Sequence, residues 1–291
     1  MTNKIIDTKK VFKVALIAYA AIIVVAIVFT SIFGVKLDIN FSGGTRISYT
    51  YSGSVKTADF ESTVKTVLKK DFTVSNNKSV AGDTRTFTIN LAGTDSLDGE
   101  TQKGITTALT EKFKDNKFTI YSSDSVSATI AGSFLLKSLA AILLTAILLT
   151  VYVGFRFRKI GGISAALTAF VALILDLIIS FATCVIFRLQ IDSNYMAVVI
   201  TILGYSLNDT IVVYDRIREN NKYNSSLSVG ENVDLSITSI LKRNVITTVT
   251  TILAIITIIV VSEIYGITSL RTFAIPMTTG MLSGCISSLF I

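Results

Sequence analysis

Six long apolar stretches constrain the fold of this chain more than any other feature. They occupy residues 11–33, 133–155, 162–187, 195–214, 244–261 and 267–291. Each is close to the roughly 20 residues that a helix needs to cross about 30 Å of hydrocarbon. At 51% hydrophobic and 16% charged residues, the chain carries more apolar surface than a soluble domain of its length needs. We therefore predict a multi-pass α-helical membrane protein with six transmembrane helices.

The links between these stretches differ in charge, and that difference predicts an orientation. Basic residues precede the first stretch and fill the second-to-third and fourth-to-fifth links: Lys4, Lys9, Lys10, Lys13; Arg156, Arg158, Lys159; Arg216, Arg218, Lys222, Lys242, Arg243. The alternate links hold mainly Arg188 with Asp192, and Glu263. Because basic links stay in the cytoplasm, both termini are predicted to be cytoplasmic. The net charge of +7 therefore reflects topology and does not indicate nucleic-acid binding.

A polar segment of residues 35–131 separates the first two apolar stretches. Its sequence predicts strand, helix, strand, strand, helix and strand, because period-two alternation and helical spacing follow one another in that order. The first strand is predicted over "VKLDINFSGGTRISYTY", interrupted by Gly43 and Gly44. The order is that of a ferredoxin-like domain. We predict three regions: a cytoplasmic N-terminus with helix 1 (1–34), an extracytoplasmic α+β domain (35–131) and helices 2–6 (132–291).

An ionisable residue stands inside the fourth apolar stretch, in "YSLNDTIVVYDRIREN". Asp209 there follows Asn208. Tyr205 lies three positions before Asn208 and four before Asp209, so the three residues share one face of the helix. A charge at the centre of a bilayer costs several kcal/mol, on the order of 3 on insertion scales, so such a residue faces protein or water. Two readings remain open: a hydrogen bond that joins helices, or a titrating group in a proton or cation path.

Two further residues join the candidate site. Asp176 lies near the middle of the third stretch, in "ALILDLIISF", either as a buried hydrogen-bonded carboxyl or as part of an ion path. Arg243 opens the fifth stretch, where Thr247 follows it four positions later. Arginine stays charged at any relevant pH, so Arg243 can stabilise a deprotonated Asp209. Alone, it also fits an interfacial anchor that reaches toward headgroups.

The residue inventory argues against enzymatic chemistry. The chain has no histidine, and its two cysteines, Cys184 and Cys285, lie in apolar stretches where a disulfide is not expected. No paired nucleophile and base, phosphate-binding glycine loop or metal-spaced cluster is found. We expect a protein that is not an enzyme and that has neither a cofactor nor a metal.

Taken together, these motifs resemble one family, SecF, the smaller half of the SecDF accessory complex of protein export. The resemblance covers nearly the whole chain. It rests on "INFSGGT", "VGFRFRKIGGISA", Asp176, "LGYSLNDTIVVYDRIREN" and "LKRNVITTVTT", the fourth of these being the most specific. Proteins of this kind resemble transporters of the resistance-nodulation-division superfamily.

The resemblance implies a function and a set of partners. It implies a bacterial cell-membrane subunit that pairs with SecD, and also with YajC, and that assists unfolded preproteins through the SecYEG channel after SecA has inserted them. It implies use of the proton-motive force, with Asp209 and Arg243 tied to proton passage and Asp176 as a third member. Asn208, Tyr205 and Thr247 are the supporting polar residues. A proton-coupled transporter of small molecules or lipids, and a passive scaffold, remain the alternatives.

The chain departs from the family pattern in places. Asn40 stands where relatives often have aspartate, and Leu175 stands where a histidine often precedes the third-stretch aspartate. The first change removes a charge, and the second leaves Asp176 without an ionisable neighbour. Relatives usually continue past the position of Ile291, so we expect a longer native chain. The residues around Asp209 leave H⁺ and Na⁺ both open as the coupling ion.

Overall fold

Six long helices dominate the structure, a computed structural model that describes residues 8–70, 72–78, 85–92, 97–223 and 226–290. They are α1 (Thr8–Phe33), α5 (Ala128–Arg156), α6 (Gly162–Ile186), α7 (Ser193–Tyr223), α8 (Val229–Tyr265) and α9 (Thr268–Phe290). Each is long and apolar enough to cross a membrane. The prediction of six such helices is confirmed. The chain is a multi-pass membrane protein.

The fourth and fifth of these helices extend well beyond their apolar stretches. Helix α8 begins after Ser228, whose hydroxyl accepts from the Glu231 amide while the Glu231 carboxylate accepts from the Ser228 amide. The Asn220 amide donates to the Ser236 hydroxyl at 2.8 Å, and so joins the extensions of α7 and α8. The apolar pattern missed these turns because they are polar and lie outside hydrocarbon.

Three helices form the centre of the membrane bundle. In α6, α7 and α9, between 44% and 56% of the apolar stretch is buried within the chain, against 17% or less in α1, α5 and α8. The end of the bundle with Lys9, Arg156 and Lys242 is called the basic end below, and the opposite end, which carries the polar domain, is the domain end. Residues of α6, α7 and α9 are therefore the ones best shielded from lipid.

The polar domain is a four-stranded antiparallel sheet with two helices. Its elements run β1 (Gly44–Tyr51), α3 (Thr57–Val67), β2 (Thr73–Lys78), β3 (Arg85–Ala92), α4 (Gly99–Lys112) and β4 (Thr119–Val126). The strand order is β2-β3-β1-β4, and β1 pairs with both β3 and β4. The predicted succession of strands and helices is confirmed. The turn predicted between β2 and β3 lies outside the described residues.

Both helices cover one face of this sheet. Phe60 of α3 and Phe87 of β3 are fully buried, with ring centroids 4.1 Å apart, and Ile105 and Leu109 of α4 complete the core. The Asp98 carboxylate caps the start of α4 by accepting from the Thr101 amide at 3.0 Å. Hydrogen bonds from Thr101 lower the pKa of Asp98. The helical spacing predicted for α3 and α4 placed Phe60, Ile105 and Leu109 on one face of their helices, and these residues are part of the core.

The start of the domain differs from its prediction. A strand was expected from residue 35, but residues Ile39–Ser42 form a short helix, α2, and β1 begins only at Gly44. Gly43 and Gly44 have φ values of 75° and 129°, which side chains rarely allow. The two glycines therefore redirect the chain from α2 into β1.

Candidate functional site

Asp176 is the centre of a fully buried polar cluster between three helices. Its carboxylate accepts from Ser206 of α7 at 2.6 Å and from Ser283 and Ser287 of α9 at 2.5 and 3.0 Å. Asp176 has no exposed surface. We call these four residues the Asp176 cluster. The hydroxyl group of each of the three serines donates to the carboxylate. The Asp176 carboxylate therefore has hydrogen-bond partners in a place where lipid offers none.

The first helix extends this cluster by one residue. The hydroxyl oxygen of Tyr19 in α1 lies 2.9 Å from the Ser283 hydroxyl, and it also donates to the Ser283 carbonyl at 3.1 Å. Tyr19 is buried. Residues from α1, α6, α7 and α9 therefore meet in one hydrogen-bonded group.

Two glycines in α9 allow this close approach. Gly280 and Gly284 are four residues apart, the spacing that lets transmembrane helices pack closely. A methyl group on Gly280 would collide with the side chain of Ile202 in α7, and one on Gly284 would lie 3.1 Å from the Ser206 Cβ. The glycines thus bring α9 to the distance at which its serines reach Asp176.

We predict that Gly280→Ala destabilises the bundle by roughly 1–3 kcal/mol, because an added methyl group in a packed interface forces its neighbours to move. The unfolding of the full chain in detergent micelles measures this. Gly204→Ala in α7, where a methyl group meets no atom within 4 Å, is the matched control and should be close to neutral. Equal losses in both variants would contradict the packing role of Gly280.

Asp209 lies in a second buried position, one that is less well satisfied. Asp209 is 3% exposed, and its Oδ2 atom has no hydrogen-bond partner in the described part of the chain. The Nδ2 atom of the buried Asn244 in α8 likewise has none there. The nearby Tyr205 hydroxyl donates to Thr248 of α8 at 3.2 Å. A carboxyl oxygen and an amide are therefore both left unpaired on helices in contact.

Helix geometry separates the predicted polar residues around Asp209. Successive residues are turned by about 100°, so Asp209 faces the interior while Asn208 is exposed. On α8, Arg243 and Thr247 are exposed, and the residues that directly follow them, Asn244 and Thr248, are buried. Among the described residues no ion pair joins Arg243 and Asp209. Tyr205 is half-buried.

A cavity of about 360 Å³ leads from the basic end toward these carboxyl groups. Its lining runs from Lys9 of α1 to Ala172 of α6, and includes Thr210 and Ser287. Ser287 belongs to the Asp176 cluster, and Thr210 follows Asp209. A space of this size with hydroxyl groups on its wall can hold water next to the polar cluster.

At the domain end, the link between α6 and α7 is bonded to the start of the polar domain. We call residues 187–192 the base link. The Asp38 amide donates to the Ile191 carbonyl at 2.9 Å, and the Ile191 amide donates to the Lys36 carbonyl at 2.8 Å. The buried Asp38 carboxylate pairs with Arg46 of β1 and accepts from Gln190 at 3.2 Å. The link between the two helices that carry the buried aspartates is therefore bonded to the segment that leads into the sheet.

Asn40 is bonded to a nearby carboxylate. The Asn40 amide donates to the Asp38 carboxylate at 2.8 Å, so a negative group lies two residues before position 40. Asp38 was not among the predicted site residues.

Several residues of the site were not predicted. Ser206, Ser283, Ser287 and Tyr19 are neutral and common in apolar helices, so no charge drew attention to them. The available signal was the repeat of small residues in α9, where Gly280 and Gly284 alternate with Ser283 and Ser287 at spacings of four. Both cysteines are free and buried, as predicted. Within the described ranges, no group of three or more His, Cys, Asp or Glu is placed to hold a metal ion.

The fold defines a membrane protein with six candidate spans and one polar α+β domain, and comparison with known proteins gives its family. A family model described as "Protein export membrane protein SecD/SecF, C-terminal" matches residues 105–291. The chain belongs to the SecD/SecF family of protein-export membrane proteins.

Curated relatives in this family agree over most of the chain. A protein translocase subunit SecF from Sebaldella termitidis is 29% identical over 89% of this chain and 80% of its own. Another SecF from Borreliella burgdorferi is 28% identical over 99% of this chain and 95% of its own. These names connect the chain to protein translocation in bacterial membranes.

Solved structures resemble the whole chain. A crystal structure of SecDF from Thermus thermophilus, described as a translocon-associated membrane protein, aligns with a TM-score of 0.74 and 27% identity over 96% of this chain. A SecDF structure in a super-membrane-facing form aligns with a TM-score of 0.64 and 25% identity over 98%. The chain spans only 37% and 36% of those two proteins, respectively.

Proposed function

We propose that the chain is a SecF-like subunit that pairs with SecD and uses the proton-motive force to assist preprotein passage through the SecYEG channel after SecA-driven insertion. Its family and its SecF relatives support the export role. We propose that both termini are cytoplasmic, because links rich in Lys and Arg stay in the cytoplasm and such links lie at the basic end. The outer domain is proposed to be ferredoxin-like, which its strand order supports. No catalytic role and no cofactor are proposed.

The presence of two buried carboxyl groups on adjacent transmembrane helices is the observation that carries this proposal. Ionisable residues inside a membrane are expensive, and they mark ion paths more often than simple packing sites. The surroundings of Asp176 suit a group that changes its protonation. A serine hydroxyl can donate or accept, so the Asp176 cluster keeps its hydrogen bonds with a charged or a neutral carboxyl.

Asp209 is proposed as the group that exchanges protons during the cycle. Its unpaired oxygen leaves it sensitive to the position of Arg243, whose charge favours the deprotonated form. Protonation would remove that attraction and let α7 and α8 move relative to each other. At about −180 mV, one proton supplies roughly 4 kcal/mol, enough to bias an equilibrium of a few kcal/mol. Na⁺ remains an alternative coupling ion.

We propose that the base link carries this motion to the outer domain. The two helices that bracket the domain, α1 and α5, offer one route for this motion. The backbone bonds of Ile191 and the contact between Gln190 and Asp38 add a third connection, directly from α6 and α7. Movement of these helices would tilt the sheet and the domain that handles the emerging polypeptide.

Exposed polar side chains within the membrane helices support a partner subunit. Asn208, Arg243 and Thr247 are exposed on the isolated chain, although polar groups facing lipid are unfavourable. A partner such as SecD would cover them. YajC is a further proposed partner.

The proposed SecD contact can be tested by cross-linking. Both native cysteines are buried, so Asn208→Cys adds an accessible thiol. We expect it to form a disulfide with a cysteine placed in the membrane helices of a co-expressed SecD. Leu143→Cys on α5, which is 55% exposed, is the matched control and should not cross-link. Equal cross-linking from both positions, or from neither across a set of SecD cysteines, would contradict the contact.

The function as a whole is tested by reconstitution. The chain should co-purify with SecD, and vesicles holding both with SecYEG and SecA should translocate preprotein faster when a proton gradient is imposed. Co-purification without gradient dependence would favour a passive scaffold. Failure to co-purify would favour a transporter of small molecules or lipids.

A further inference from the structure

A broad groove lies where the outer domain meets the bundle. Its volume is about 830 Å³, and its walls come from the end of α1, strands β2 and β3, the base link and the start of α9. Four cationic side chains line it against two carboxylates: Lys36, Arg46, Arg188 and Arg271, with Asp38 and Asp192. The groove is thus positively charged.

Both carboxylates in the groove already have partners. Asp38 pairs with Arg46. Asp192 accepts from the Tyr195 amide at 3.0 Å and from the Thr272 hydroxyl at 3.1 Å. Arg271 pairs with Glu263 at 2.9 Å. These pairs leave Lys36 and Arg188, neither of which forms an ion pair with any carboxylate of the described residues.

Lys36 and Arg188 are held next to each other by the fold. The Arg188 guanidinium donates from one nitrogen to the Phe33 and Gly34 carbonyls, both at 2.8 Å, at the end of α1. The Arg188 backbone has a φ of 56°, an uncommon conformation for a residue with a side chain. Burial and the charge of Arg188 both lower the pKa of Lys36. Lys36 and Arg188 therefore line the same groove, and among the described residues neither has a carboxylate counter-ion.

These two cations follow closely on the ends of two membrane-spanning helices. Helix α1 ends at Phe33, and α6 ends at Ile186, so Lys36 and Arg188 follow the apolar stretches by two or three residues. The flanking rings of Phe33 and Phe187 are 54% and 63% exposed and also line the groove. Aromatic side chains are typical of the interface between bilayer and water.

We propose that Lys36 and Arg188 bind the phosphate of an anionic glycerophospholipid from the outer leaflet. The guanidinium nitrogens that do not contact carbonyls and the Lys36 ammonium would contact phosphate oxygens. Phe33 and Phe187 would contact the glycerol and the upper acyl chains. This contact rests on insertion in a membrane and does not depend on the proposed export function.

A single-tryptophan experiment tests the site, because the chain has no tryptophan. Phe187→Trp places a reporter beside Arg188, and its fluorescence is quenched by lipids with brominated chains. We expect brominated phosphatidylglycerol to be preferred over brominated phosphatidylcholine by roughly 5- to 30-fold, as expected for one or two cations near a membrane surface. A Leu143→Trp reporter on α5, far from these cations, should show little preference.

Variants at Lys36 decide whether the preference belongs to this site. Lys36→Gln should reduce it by about fivefold, the effect of one cation, and Lys36→Arg should retain it. The unfolding transition in detergent confirms that each variant is folded. An unchanged preference in Lys36→Gln, or an equal preference at the Leu143→Trp reporter, would overturn the proposal.

A separate measurement distinguishes a lipid phosphate from free phosphate as the ligand. Excess inorganic phosphate is added in comparison with sodium chloride of equal ionic strength. The headgroups of the bilayer are in large excess at the site, so free phosphate should not displace a lipid ligand beyond its screening effect, and both salts should weaken the preference equally. Loss of preference with phosphate alone, or with a soluble acidic peptide, would assign the site to a free anion and overturn the lipid assignment.

Discussion

Replacing Asp176 with alanine is expected to destabilise the membrane bundle by about 2–4 kcal/mol. The change leaves the buried Ser206 hydroxyl without its acceptor, and an unsatisfied hydroxyl costs about 1–3 kcal/mol, and less when helices in lipid find other partners. Ser283 and Ser287 lose the same acceptor, but Ser283 keeps its contact with Tyr19 and Ser287 its bond to the Gly284 carbonyl. The change also removes packed volume from an interface between α6, α7 and α9. Unfolding of the full chain in mixed micelles measures the loss.

Asp209→Ala is the matched control for this prediction. It makes the same chemical change on the next helix, at a residue that is also buried, but Asp209 Oδ2 has no hydrogen bond to lose. We expect a much smaller loss of stability. Equal destabilisation by the two variants, or a stable Asp176→Ala protein, would contradict a structural role for the Asp176 cluster.

Replacing Asp209 with asparagine is expected to abolish the response of translocation to a proton gradient while the fold is kept. Asparagine has nearly the same shape but cannot titrate. The stimulation should fall by at least about tenfold, since a full coupling of roughly 4 kcal/mol corresponds to nearly a thousandfold bias. Reconstituted vesicles with SecD, SecYEG and SecA, assayed with and without a gradient, give the measurement.

Asp215→Asn provides a control on the same helix. Asp215 lies six residues further along α7, at the basic end, where it pairs with Arg156 at 3.2 Å and with Arg218 at 2.8 Å. Its pairs are partly exposed, so their loss should change little. A full gradient response in the Asp209→Asn protein, or an equal loss in both variants, would argue against Asp209 as the coupling group.

The sequence predicted the overall layout because hydrophobic length and alternation are local signals. The six helices follow from runs of about 20 apolar residues, and the helices of the polar domain follow from the spacing of residues such as Phe60, Ile105 and Leu109. The bounds of α7 and α8 were missed because the ends of these helices are polar. Capping residues such as Ser228, and not hydrophobicity, determine where such ends lie. The start of β1 was missed because Leu37 and Ile39 alternate like a strand.

The site was predicted only in part, because partners across helices are not local. The charges of Asp176 and Asp209 stand out against apolar neighbours, so both were identified. Whether Asn208 or Thr210 turns inward depends on how α7 packs, which the single helix does not reveal. Ser283 and Ser287 became part of the site only through the approach of α9 that Gly280 and Gly284 permit.

Proton movement through the reconstituted complex tests the central claim most directly. Vesicles that contain the chain with SecD, SecYEG and SecA are loaded with a pH-sensitive dye, and the flux is recorded while a preprotein is translocated across an imposed gradient. We predict a flux in the unmodified and Asp215→Asn proteins, and only background leakage in Asp209→Asn. A flux in Asp209→Asn equal to that of the unmodified protein would contradict proton passage through this carboxyl group.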